Sequence, residues 1–306
     1  MPGRFAPSPT GDLHLGNLRT ALAAWLSASR AGSHGVRFVI RMEDLDPLTS
    51  TAAHEQRQLD DLATIGIRSD VDVVRQSERF EIYEAAIDRL AEAGLVYPCF
   101  CTRREIREAT AAPHGAVLPD GAYPGTCREL TDRERRERAS SGRPPAWRLR
   151  TSGERYTFDD LVAGPVAGGV DDVVLRRNDG VPAYNLAVVV DDAAQGITEV
   201  VRGDDLLTST PRQIHLQRLL GLATPTYAHV PLVIGLDGQR LAKRHGAVTL
   251  RDWTGLGRTV PELLEVLGAS LGSAPSPGAP VPQQAADLLD RFSWSRVPRA
   301  PWVWAP

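Results

Sequence analysis

A short apolar start at Phe5 runs into Pro9-Thr10-Gly11-Asp12-Leu13-His14-Leu15-Gly16-Asn17 and then into an amphipathic segment. A strand that turns through two glycines into a helix is the opening unit of a parallel sheet with crossover helices. Leu18, Leu22, Trp25 and Leu26 recur at helical spacing and predict a helix over Asn17–Ala31. Val36–Ile40 reads as the next strand, with residues 41–47 (RMEDLDP) at its carboxyl end. Thr51–Ile65 and Glu78–Ala93 read as helices that stop at Gly66 and Gly94. The expectation is an α/β fold.

Residues 98–128 interrupt this alternation and hold all three cysteines. They read as an insertion, followed by a charged helix over 131–141 and a β-rich stretch over 147–175. AYNLAVVVDD (183–192) and ITEVVRGDDL (197–206) read as two buried strands of the main sheet. A helix over 211–221, a strand over 229–235 and a polar loop over 237–246 come next. A Pro/Ser linker (273–282) leads to a short helix over 283–292 and a Trp/Pro-rich tail that covers the core. The domains expected are 1–97 with 172–252, an inserted region 98–171, and a C-terminal extension 253–306.

Two segments suit a nucleotide. Gly11 and Gly16 allow a ligand close to the backbone at a helix N-terminus, where phosphate is favoured, and His14 can donate to a phosphate oxygen. Arg240-Leu241-Ala242-Lys243-Arg244, flanked by glycines, offers three cations to a polyphosphate. Alone, the first is equally well an ordinary turn and the second a solvated charge run. Together they form a pair.

Residues 4–17 (RFAPSPTGDLHLGN) and 240–244 (RLAKR) resemble the two signatures of class I aminoacyl-tRNA synthetases, in their glutamyl form. RMEDLDP, AYNLAVVVDD and EVVRGDDL match the same group in the same order. The resemblance covers roughly residues 4–250 and implies a Rossmann-type catalytic domain with an inserted acceptor-like region. It also implies ATP-dependent activation of L-glutamate to glutamyl-adenylate, with Mg2+ accompanying ATP. Only 62 residues follow Arg244, too few for the family's anticodon-binding domain. The resemblance therefore points to truncated members, which activate glutamate without tRNA and attach it to queuosine in the anticodon of tRNA(Asp). A short enzyme charging a tRNA 3′ end, and a non-catalytic glutamate- or nucleotide-binding paralogue, are the alternatives.

Glutamate carries two carboxylates and an ammonium, so its site needs cations and one anion. Arg4 and Arg202 are the cation candidates, since a guanidinium offers a bidentate fork. Glu43 is the candidate for the amine, and the Tyr184 phenol can close the pocket. Phe5, Ala6, Pro7 and Ser8 complete it. The resemblance places these residues in the glutamate site. For ATP it indicates Gly11, His14, Gly16, Asn17, Arg240, Leu241 and Lys243, with His14 and Lys243 as the catalytic pair acting by positioning and charge stabilisation. Ala242 stands where a serine is common in the family.

Cys99-x-Cys101 with a distant Cys127 suggests a metal rather than a disulfide in an intracellular chain. A structural zinc takes four ligands. Spacing nominates His114 as the fourth, whereas the resemblance nominates Tyr123. Either set leaves no open position for water, so the role expected is structural.

The 306 residues carry a net charge of −3, which excludes a strongly basic nucleic-acid coat while leaving room for a local basic face. No apolar run reaches membrane-spanning length, and the N-terminus lacks a signal-peptide core. A cytoplasmic monomer is expected.

Overall fold

The structure is a computed structural model that describes residues 2–30, 37–102, 104–106, 122–241, 245–246, 248–274 and 282–305. Strand β1 (Gly3–Phe5) leads through the glycine-bearing turn into helix α1 (Leu15–Arg30). Leu15, Leu18, Leu22 and Leu26 fall at helical spacing and are fully buried, so α1 lies along β1 with its apolar stripe inward. β2 (Phe38–Met42), α2 (Ala52–Thr64), β3 (Val74–Arg75), α3 (Phe80–Glu92) and β4 (Val96–Cys99) follow. Gly66 and Gly94 end the helices at φ 83° and 72°, a left-handed conformation that other residues rarely adopt. At the first stop, the Gly66 and Ile67 amides return to the Ala63 and Leu62 carbonyls.

Next come α4 (Asp132–Ala139), β5 (Ala146–Leu149), β6 (Arg155–Asp160), β7 (Gly164–Gly169) and β8 (Val174–Arg176). Then α5 (Tyr184–Ala194), β9 (Glu199–Gly203), α6 (Thr210–Leu219), β10 (Thr226–Val230) and β11 (Val233–Ile234) complete the central region. The main sheet has the order β3-β2-β1-β9-β10-β6-β7, parallel except for the β7 edge. β4, β5 and β8 form a separate antiparallel sheet. The β6–β7 hairpin falls within the segment 98–171 expected as insertion, yet it hydrogen-bonds to the main sheet through β10.

Residues 183–192, expected as a strand, form helix α5 instead. An apolar run of five carries no period of its own, and its valines favour a strand locally. The tertiary environment decides otherwise. Helical spacing puts Tyr184, Val188, Asp191 and Asp192 on one side, where both aspartates face Arg41. A strand would have sent the adjacent aspartates to opposite faces.

Helices α7 (Leu250–Gly255) and α8 (Val260–Ser270) follow, each opened by a threonine capping box. The expected helix over 283–292 is only a 3-10 turn, Ala285–Leu288. β12 (Trp302–Val303) pairs in parallel with β11, and Trp304 is buried, so the tail covers the core beside α1 and α8. Among the described residues no helix is long and apolar enough to cross a membrane.

Candidate active site

The carboxyl ends of β1, β2, β9 and β10 open into one cavity of about 610 Å³. That is the position where open parallel sheets bind ligands. Arg4, Phe5, Ala6, Pro7, Ser8, Gly11, His14, Gly16, Asn17, Glu43, Tyr184, Arg202, Arg240 and Leu241 all line it. Of the residues expected for glutamate and ATP, only Lys243 is missing from this lining, and it lies outside the described residues together with Ala242 and Arg244.

The charged half of the cavity is a buried lattice. Arg4, 4% exposed, donates from Nη1 to the Val201 carbonyl at 2.8 Å and from Nε to Asp192 at 3.3 Å. Arg41 beneath it donates to Asp192 at 2.8 Å and to Gln195 at 2.7 Å, and sits 3.5 Å from Glu43. Burial alone would raise the Asp192 carboxyl, but Arg4 and Arg41 hold it below its ordinary value. Glu43 has the opposite balance: burial dominates the pull of Arg41 and Arg4 and pushes its carboxyl up to about 7. Tyr184, at the N-terminus of α5, is raised by burial and then by the Glu43 charge.

Arg202 projects from β9 next to His229 of β10, its register partner. Its Nε donates to His229 Nε2 at 3.0 Å, Nη1 to Gln213 at 2.7 Å and Nη2 to Thr210 at 2.8 Å. His229 Nδ1 faces Asp160 of β6 at 2.6 Å.

The other half is built by the first turn. The Gln58 amide donates to the Ser8 and Gly11 carbonyls at 3.0 and 2.7 Å, and the Glu43 amide bonds Pro7. The Asn17 amide donates to His14 Nδ1 at 3.2 Å, so the remaining ring proton of a neutral His14 sits on Nε2. Burial, then the Arg240 charge, lowers the His14 pKa and keeps the ring neutral. A Cβ on Gly16 would lie 2.9 Å from the His14 ring, so the glycine is what lets the imidazole fold over the helix start. Arg240 pairs with Asp205 at 2.9 Å, and the Leu241 amide bonds Val233.

A second cluster lies on the small sheet. The sulfurs of Cys99, Cys101 and Cys127 lie within 4.8 Å of one another, and the Tyr123 hydroxyl is 3.3 Å from Cys99 and 3.5 Å from Cys101. Hydrogen bonds from Cys101 and Cys127 hold the Cys99 thiol far below its ordinary range, and hydrogen bonds with Cys127 and then Cys99 push Cys101 up. Three convergent thiols beside a phenol oxygen form a donor set that fits one tetrahedral metal ion. The guanidinium of Arg148 stacks 3.7 Å above the Tyr123 ring, and the Tyr123 amide donates to Asp171 at 2.7 Å. His114, the other expected ligand, lies outside the described residues.

Arg41, Asp160, Asp191, Asp192 and His229 were not anticipated. Arg41 had a signal in RMEDLDP, two residues before Glu43, and Asp191 and Asp192 had one as the end of AYNLAVVVDD; Asp160 and His229 had none.

The family described as "tRNA synthetases class I (E and Q), catalytic domain" matches residues 2–274. The glutamyl-Q tRNA(Asp) synthetase of Nocardia farcinica is 58% identical over 98% of this chain and 92% of its own length. That of Symbiobacterium thermophilum is 47% identical over 98% of this chain and 94% of its own. A crystal structure of a glutamate tRNA ligase from Elizabethkingia meningosepticum, in complex with its amino acid, superposes with a TM-score of 0.77 at 25% identity. It aligns with 98% of this chain, which spans 66% of the ligase chain. The chain belongs to the class I tRNA synthetases of the E and Q type, in the group of glutamyl-Q tRNA(Asp) synthetases.

Proposed function

We propose that the chain activates L-glutamate with ATP to glutamyl-adenylate without needing tRNA, and then transfers the glutamate to queuosine in the anticodon of tRNA(Asp). The observation that carries this reading is the single cavity that joins Arg4, Glu43, Tyr184 and Arg202 to the His14 turn. Two guanidiniums, a carboxylate and a phenol match an amino acid with two carboxylates and an ammonium. The adjoining neutral imidazole and glycine turn match a nucleotide phosphate.

In this reading Arg4 and Arg202 bind the glutamate carboxylates and Glu43 accepts from the ammonium. A carboxylate oxygen attacks the α-phosphorus, and the bond to pyrophosphate breaks. His14 donates from Nε2 to a phosphate oxygen, and Lys243 balances charge on the departing pyrophosphate. Gly11, Gly16, Asn17, Arg240 and Leu241 bound the ATP. When bound with ATP, Mg2+ supplies further charge neutralisation. No covalent bond to the enzyme is required, so catalysis rests on orientation and preset charge. We assign one structural zinc to Cys99, Cys101, Tyr123 and Cys127, a monomeric state and a cytoplasmic setting to the same proposal.

The test is transfer of labelled glutamate, with Mg-ATP, to tRNA(Asp) with and without queuosine, and to tRNA(Glu). Label on the queuosine-bearing tRNA alone supports the reading. Label on tRNA(Glu) overturns it in favour of a short charging enzyme. Absence of glutamate-dependent ATP–pyrophosphate exchange in folded protein overturns the enzyme reading altogether.

A further inference from the structure

Three neighbouring strands carry a buried polar chain that ends in the cavity: Asp160 on β6, His229 on β10 and Arg202 on β9. We propose that Asp160 and His229 are positioning residues that fix Arg202 for a carboxylate of the substrate by locking the tautomer of His229. The proposal rests on the reading of the cavity as a glutamate site.

The direction of the chain follows from the donors. An arginine nitrogen only donates, so His229 Nε2, 3.0 Å from Arg202 Nε, is the bare acceptor nitrogen. The ring proton therefore sits on Nδ1 and is donated to Asp160 Oδ2 at 2.6 Å. The Thr210 hydroxyl, 3.2 Å from the same Nε2, accepts from Arg202 Nη2 and can turn its own proton to that nitrogen. Both side chains of the Asp160–His229 pair are inaccessible to solvent, so water cannot substitute for either bond. Asp160 is itself anchored: its Oδ1 accepts from the Val162 and Ala163 amides at 3.0 and 2.8 Å. Burial, the largest influence, keeps His229 neutral against the pull of Asp160.

Arg202 thus has three of its five N–H groups assigned to His229, Gln213 and Thr210, while the guanidinium still lines the cavity. Two donors remain for a ligand, in a plane that three partners define. A protonated Nε2 would oppose the Arg202 N–H and turn the fork out of that plane. Orienting a histidine through a buried carboxylate is an established device for controlling its tautomer.

Asp160→Asn separates this role from simple packing. The amide oxygen stays on the Val162 and Ala163 amides, which need an acceptor. The amide nitrogen then faces His229 Nδ1, and the ring proton moves to Nε2. In glutamate-dependent ATP–pyrophosphate exchange, KM for glutamate is expected to rise about 10- to 100-fold, the worth of a bond to a charged group, with KM for ATP unchanged. In a His229→Gln background an amide oxygen can accept from Arg202 whatever stands at 160, so adding Asp160→Asn should cost no more than about twofold. Equal losses in both backgrounds, or parallel losses in both KM values, overturn the proposal. Side-chain ¹⁵N spectra provide a readout without activity, with the His229 signals assigned through His229→Gln. Nδ1 should carry the proton in the parent and Nε2 in Asp160→Asn; a parent protonated at Nε2 overturns the relay. If the parent shows no glutamate-dependent exchange, the glutamate reading falls. The spectra then decide the relay alone.

Discussion

At the scale of single residues, the cavity is governed by how burial and charge divide between neighbours. Asp192 stays ionised because two arginines touch it, whereas Glu43 is pushed up to about 7 because burial outweighs Arg41 and Arg4. An ammonium binds the carboxylate form, and its charge lowers the carboxyl further. Glutamate affinity should therefore be flat above pH 7 and weaken below it, approaching about tenfold per pH unit, with a proton released on binding. Calorimetry at pH 6 in two buffers of different ionisation enthalpy would count that proton. Glu43→Gln should weaken binding at every pH and abolish the slope; a slope that survives would assign the titration elsewhere. Gly16 gives a second prediction. A methyl group there meets the His14 ring at 2.9 Å, so Gly16→Ala should displace the imidazole and raise KM for ATP. The expected loss is on the order of tenfold or more, with the melting temperature nearly unchanged, because a positioned donor is lost while the one core neighbour, Val233 at 3.4 Å, stays close to ordinary contact. A tenfold loss matched by lost stability would instead indicate a disturbed α1.

At the scale of elements, α5 shows where local reading stops. The Leu186–Val190 run has no decisive period, and the reason it is helical lies far away in sequence, in Arg41 of β2. The same distance hid the attachment of β6 to β10, and with it Asp160 and His229, which belong to no motif. By contrast α1 and the stops at Gly66 and Gly94 were legible because spacing and positive φ are local properties. The cavity lining was legible where residues sit in signature segments, as at Arg4, His14 and Arg202. Arg41 now carries a prediction. It is inaccessible and holds Asp192, Gln195, Glu43 and Asp191 together. Arg41→Met leaves buried carboxylates without their shared cation and should cost about 3–5 kcal/mol. The melting temperature should fall by on the order of 10 °C. A shift of a degree or two would mean that Arg4 on Asp192 and Arg79, whose Nε lies 2.7 Å from Asp191, alone suffice for the two aspartates.

At the scale of the whole molecule, the chain has a main sheet that builds the cavity and a small sheet that carries the cysteines. The cysteine end is set apart, because Cys99, Tyr123 and Cys127 pack with Tyr97 in a cluster of their own, whereas Leu149 of β5 and Leu175 of β8 share a core with α3, α5 and α6. A polar bridge connects that cluster to the cavity. Asp171 accepts from the Tyr123 amide at 2.7 Å and from Arg212 of α6 at 2.5 Å. The same helix supplies Gln213 and Thr210 to Arg202. A small cluster of three thiols and a few aromatic rings has little apolar surface to hold it together, so the zinc proposed for it would supply much of its stability. Chelation, or Cys127→Ser, should therefore remove about one zinc per chain and split thermal unfolding into two steps. The cysteine cluster should loosen first, while β5 and β8, packed with α3, α5 and α6, should melt with the main sheet near its original temperature. Calorimetry paired with metal analysis checks this. A single transition that moves as one would mean that the Asp171 bridge makes the cysteine cluster one cooperative unit with the rest, and that the cluster stabilises the cavity directly.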